Sequence, residues 1–221
     1  KSFFMKKFYL LLVVLMGFGS VSGQNPDDII VFNDINFKIR LLFSQYSTNI
    51  AQNLNGQPTS IDSNGDSEIQ VSEAQNISRL NLSENPSSLY TATQLTDLTG
   101  LSYFINLQTL NITSKFLTQI DLSPFHNLKY LYLSSSQQGP MQLSLLNIEG
   151  LQNLKTIEIY QAPMLTSIEL NDLLYLEAFK YTFPNLASSG GFTELDLSQN
   201  PSLKSVELKY TQIASLDLSE C

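Results

Sequence analysis

One motif dominates this chain. L-x-x-L-x-L first fits at Leu107-Leu110-Ile112 and Leu117-Ile120-Leu122, recurs ten times in succession, and ends at Ile213-Leu216-Leu218. An eleventh copy, Ile77-Leu80-Leu82, lies upstream, and the seventh of the ten closes on a tyrosine, as Leu176-Phe179-Tyr181. L-x-L has period two, so both apolar residues point to one face of a strand, and the leucine three residues earlier enters the same core from the preceding bend. A unit this small cannot bury its own apolar face. Units must therefore stack, each covering its neighbour.

The spacing predicts how they stack. Successive middle residues, from Leu110 to Leu216, lie 10 to 16 residues apart, too close for a strand plus a helix. Two steps together make a coil of about 21–27 residues. The spacing thus predicts two strands per coil, one on each side of a flattened solenoid.

The stretch "LTDLTGLSYFINLQTLNI", Leu95–Ile112, resembles an internalin-type leucine-rich repeat. From Leu107 onward the pattern is similar to the nested bacterial form LxxLxLxxNxLxxLDLxxN. The resemblance covers Ile77–Cys221 and implies a mostly β leucine-rich-repeat solenoid, with strands on both faces and a small N-terminal helical cap. The family's asparagine, three residues past the last leucine, stands at Asn85 and Asn200, with Cys221 at the same offset. Lys115, Ser136, Ala162 and Thr211 occupy the slot elsewhere, so the asparagine ladder is incomplete. The sequence stops in mid-unit, and we expect the solenoid, residues 77–221, to be truncated at its C-terminus.

Residues 24–76 are expected to form the cap. Asn33–Ser44 reads as a helix capped by Asn33 or Asp34, with Phe37 and Leu41 on its apolar stripe. Gln45–Ser60 reads as a polar loop. The next stretch, "DSNGDSEIQVSE", fits a calcium-loop template over residues 62–73. Asp62, Asn64 and Asp66 take positions 1, 3 and 5, the Glu68 carbonyl takes 7, and Glu73 closes the loop at 12. Position 6, where glycine is usual, holds Ser67, which weakens the site by on the order of 1 kcal/mol. The loop resembles the single EF-hand-like loops of secreted bacterial proteins, and the expected cofactor is a weakly held, structural calcium ion.

Residues 1–23 read as a signal peptide. A basic "MKK" at Met5–Lys7 precedes the apolar run "FYLLLVVLMGF", and "VSG" offers small residues for cleavage. The expected destination is outside the cell or on its surface, with no membrane insertion after cleavage. The whole chain carries a net charge of −8, and this segment holds three of the twelve basic residues and no acidic ones. No basic stripe is left to neutralise phosphates, which argues against a nucleic-acid partner.

Nothing in the sequence reads as a catalytic site, and the chain is not expected to be an enzyme. The single histidine, His126, lies in a loop without a partner motif, and no HExxH, GxSxG, P-loop or CxxC occurs. Asp121, Glu169, Asp196 and Asp217 fall at one place in alternate units, with Asn147 in the fifth slot. Equivalent positions do not supply the two different environments a glycosidase pair needs. The other strand face is mixed in charge and carries aromatics: Tyr130 and Tyr132, Glu158, and Lys180 are its candidate partner-binding residues. Three long connections, Ser83–Gln94, Ser134–Gln142 and Thr182–Gly191, leave this same class of strand and should form a rim beside it. The expected function is recognition or adhesion towards an extracellular protein or glycan. The alternative is the targeting module of an extracellular enzyme whose catalytic domain lies beyond Cys221.

Overall fold

The computed structural model describes residues 25–83, 95–135, 139–184, 190–219 and 221. Among them, seven strands form one long sheet in the order β1 (Ala51–Asn53), β2 (Ile77–Leu82), β3 (Thr109–Thr113), β5 (Tyr130–Ser134), β7 (Thr156–Tyr160), β8 (Ala178–Thr182) and β10 (Ser205–Lys209). All neighbours from β2 to β10 are parallel. On the other side lie two short parallel pairs, β4 (Gln119–Asp121) with β6 (Leu145–Asn147), and β9 (Glu194–Asp196) with β11 (Ser215–Asp217). The chain alternates between the two sides, and β4, β6, β9 and β11 give a second-side strand to four of the coils.

The register carries the motif straight across the sheet. Leu80, Leu110, Leu131, Ile157, Phe179 and Val206 stand in one row, and Leu82, Ile112, Leu133, Ile159, Tyr181 and Leu208 in the next. Both rows face inward and are buried as far as Tyr181. One continuous apolar core runs from Ile30 to Leu197. Each coil buries its apolar row against the next, which is what a unit of this size requires.

Tyr181 is the large residue in the inner row. Its hydroxyl lies 3.0 Å from the carbonyl of Ala162, to which it donates, and its ring stacks on Phe192 at 4.2 Å. Burial pushes its hydroxyl far above the usual phenol range. Gly191, at φ +77°, passes directly over that hydroxyl, where a Cβ would fall on the oxygen itself. Glycine is needed here both for the backbone angle and for the space.

Three expectations are corrected. The unit Leu165-Ile168-Leu170 forms no strand, and the second side is interrupted between β6 and β9. A groove of about 540 Å³ separates Thr166–Asn171 from β9 and β11. The ladder bonds made in neighbouring coils, Leu145 N to Thr118 O and Ser215 N to Thr193 O, have no counterpart at Thr166. Second, the segment read as a polar loop contains β1, which pairs antiparallel with β2. It satisfies the edge that the first coil would leave open. Third, the cap helix is shorter than expected. α1 spans Ile35–Leu42 and continues as a 3₁₀ turn, Phe43–Gln45, with Asp34 as its N-cap and Phe37 and Leu41 fully buried. A second short helix, α2 (Val71–Gln75), leads into β2.

Candidate functional site

Strand alternation builds the outer face of the long sheet. In β5, β7 and β8, the sequences YLYLS, TIEIY and AFKYT send every second residue out. Register then aligns them. Tyr130 pairs with Thr156 and Tyr132 with Glu158, Glu158 is opposite Lys180, and Lys180 is opposite Glu207. Asn111 completes that row beside Tyr132. The four residues expected to meet a partner therefore share one face, and Tyr132, Glu158 and Lys180 share one row.

A groove of about 400 Å³ runs over this row. Its walls include Tyr132, Glu158, Tyr160, Lys180, Glu207 and Lys209. Tyr130 lies on the same face but outside the groove, 37% exposed. Lys180 Nζ reaches Glu207 Oε2 at 3.3 Å, and Lys209 closes on the other oxygen of Glu207. These two lysines hold the Glu207 carboxyl below the usual range, the bond from Lys209 contributing most. Burial, and then the nearby Glu158 charge, push the Tyr132 hydroxyl up. Tyr160 and Lys209 are groove residues the motif did not flag. They lie beyond L-x-L, and continuing the period of two by one more residue would have found them. The expected rim falls largely on residues 84–94, 136–138 and 185–189, outside the described residues.

On the second face Asp196 and Asp217 stand side by side in register, while Asp121 stands beside Asn147. Asp121, Asp196 and Asp217 each accept the N–H of the serine two residues on, at 3.0, 2.8 and 2.9 Å. The recurring D-L-S is thus a turn device. Ser198, through its hydroxyl and then its N–H, holds the Asp196 carboxyl below the usual range. Asn147 donates to Asp121 Oδ1 at 2.9 Å, relieving the repulsion a fifth acid would cause. His126 is exposed, its Nδ1 3.5 Å from the Gly150 carbonyl.

The calcium-loop stretch has a defined main-chain path. Gly65 and Ser67 both take left-handed angles, φ +78° and +66°. Asp62 accepts from Gly65 N (2.7 Å) and Ser67 N (3.0 Å), Asn64 from Asp66 N, and Asp66 from Glu68 N. The Glu68 N–H is the leading reason that the Asp66 carboxyl lies below the usual range. Glu68's side chain itself turns away to Lys38, at 2.6 Å. Glu73 spans the loop, taking Ser63 N at 2.7 Å on one oxygen and Gln70 N at 3.0 Å on the other. All five candidate ligands offer the hard oxygens calcium favours. Among the described residues, however, no three His, Cys, Asp or Glu side chains converge as a metal site.

The incomplete ladder is visible too. Asn200, fully buried, donates to the carbonyl of Leu170 at 2.8 Å. Cys221, one coil on, makes the equivalent contact through Sγ to Leu197 O at 3.0 Å. A second ladder escaped the sequence reading. Asn106, Asn127 and Asn153, each just before a core leucine, donate to the carbonyls of Gln75, Ile105 and His126 in the preceding coil.

The arrangement of coils matches solved proteins. The chain is similar in fold to an internalin, InlF, from Listeria monocytogenes str. 4b F2365, with a TM-score of 0.50 and 16% identity over 88% of this chain and 48% of that one. The fold is a leucine-rich-repeat solenoid. The functional domain of InlJ from Listeria monocytogenes also matches the solenoid, with 27% identity, a TM-score of 0.45, and coverage of 66% of this chain and 33% of that one. The chain spans about half the length of the first and a third of the second. No protein-family model and no curated protein matches it.

Proposed function

We propose that this solenoid is a binding module of a secreted or surface-displayed protein, and that the outer face of its long sheet recognises an extracellular protein. The observation that carries the reading is the alignment of Tyr132, Glu158 and Lys180 in one row of a groove, with Tyr130 beside them. Tyrosine supplies apolar contact area with a polar tip at little entropic cost, and flanking charges set orientation. The likeness to the internalin fold supports a repeat scaffold for such a face. A glycan is the other ligand class that tyrosines, amides and carboxylates suit.

The test is binding of the labelled protein to arrays of extracellular proteins and glycans. Wild type should retain at least one ligand that the Tyr130→Ser/Tyr132→Ser variant loses, with no fall in melting temperature beyond that of a surface substitution. A ligand profile indifferent to the two tyrosines would overturn this reading. A hit confined to glycans would move the assignment to that class.

We further propose that residues 62–73 bind calcium weakly, in a structural role. The left-handed Gly65 and Ser67 and the chain of turns on Asp62, Asn64 and Asp66 support it. Binding would need Asp66 and Glu73 to turn towards a shared centre.

A further inference from the structure

Glu158 is the carboxylate in the groove that no lysine neutralises. Lys180 stands directly opposite it in the ladder, yet the Lys180 ammonium turns the other way, to Glu207, which Lys209 also engages. Among the described residues Glu158 makes no ion pair. Lys180 flanks it on one side, and its other two neighbours on this face are aromatic. Tyr132 is its neighbour on the adjacent strand, about 4.8 Å away along the sheet, and Tyr160 follows two residues later on the same face, about 7 Å on. Both tyrosines line the same groove, and Tyr160 is 38% exposed.

A half-buried carboxylate beside two tyrosines selects its ligand by charge and shape. Next to Glu158 an anion would be repelled, because Lys180 and Lys209 in the same groove are both engaged by Glu207, and an apolar group would leave the carboxylate without a partner. A cation meets the Glu158 carboxylate and the two tyrosines that line the groove beside it. A planar guanidinium is the better match, because it can bond the carboxylate through two N–H groups while its faces lie on the rings.

We infer that the groove takes an arginine side chain of the partner, seated on Glu158 against Tyr132 and Tyr160. This rests on the partner-binding reading above and names the chemistry of the group that enters. The probe is a capped peptide, acetyl-Gly-Arg-Gly-amide, titrated into the protein while the tyrosine ring signals are followed by nuclear magnetic resonance. Its controls replace the arginine by citrulline, which keeps the shape without the charge, or by lysine. Saturable shifts of Tyr132 and Tyr160 are expected with arginine only. Glu158→Gln, which preserves size on an exposed strand face, should weaken binding about tenfold or more. Equal binding of the citrulline or lysine peptide, or an unchanged affinity in Glu158→Gln, would overturn the inference. If the peptide fails while the array ligand is still lost in Tyr130→Ser/Tyr132→Ser, only the arginine assignment falls. If both fail, the binding face itself is wrong.

Discussion

Neighbouring residues one position apart have opposite fates in this fold. Leu131 is fully buried, and Tyr132 beside it faces the groove. Leu131→Asp places an unpaired charge in a stacked core and should cost at least ~3 kcal/mol. Tyr132→Asp should cost well under half as much, and denaturant melts of the two variants compare them directly. Gly191→Ala meets both an unfavourable φ and the Tyr181 hydroxyl. Loss of roughly 2–4 kcal/mol is expected, from backbone strain plus a displaced buried hydroxyl; a stability near wild type would mean Tyr181 does not need that space. Asp34 carries a pH dependence. Burial works to raise its carboxyl, but the Thr96 N–H, the Asn36 N–H, the Thr96 hydroxyl and the Asp97 N–H outweigh it and hold it below the usual range. A depressed carboxyl stabilises the fold above the unfolded value of about 3.9, and that contribution fades as pH falls through the folded value. Asp34→Ala should therefore lower the melting temperature clearly at pH 7, with the gap to wild type narrowing below about pH 4.

At the scale of elements, the cap depends on side chains standing in for missing backbone partners. Glu73 caps α2 and ties both ends of the 62–73 loop, while Asp34 caps α1 and ties it to Thr96. Ser67 takes the left-handed angle that its place in the template demands. Its cost, on the order of 1 kcal/mol, is relieved by Ser67→Gly. If the loop holds calcium, added calcium should raise the melting temperature, by about 2.7 kcal/mol of stability at a hundred times the dissociation constant. Magnesium should do much less, Glu73→Gln should remove most of the gain, and Ser67→Gly should tighten binding. A polar turn without calcium predicts no effect of Ser67→Gly on any calcium response. The absence of saturable calcium heat up to ~10 mM in calorimetry would end the proposal.

Across the whole molecule, stability is a chain of nearest-neighbour contacts along one core. At the N-terminal side β1 covers β2, with Ala51 1% exposed. Hydrogen exchange should be slowest in β3, β5 and β7, which are paired on both edges. Ala51→Asp should detach β1 and lower protection in β2 and β3 before it affects β8 or β10. A uniform loss across all strands would show that the coils unfold as one unit.

The sequence by itself determined the coil. L-x-L and its spacing specify which side chains point inward, that units must stack, and which residues share the outer face, because strand period and burial are local rules. Tyr130, Tyr132, Glu158 and Lys180 were therefore legible as one surface before any coordinate. Only the tertiary structure decided where Lys180 points, since Glu158 and Glu207 flank it equally in the ladder and packing chooses between them. It alone revealed β1, whose short polar sequence becomes a strand because β2 offers an open edge. It likewise broke the second side at Ser167–Glu169, where a well-formed motif pairs with nothing. A strand exists only when a neighbour at the right distance accepts its hydrogen bonds, and no stretch of sequence contains that neighbour.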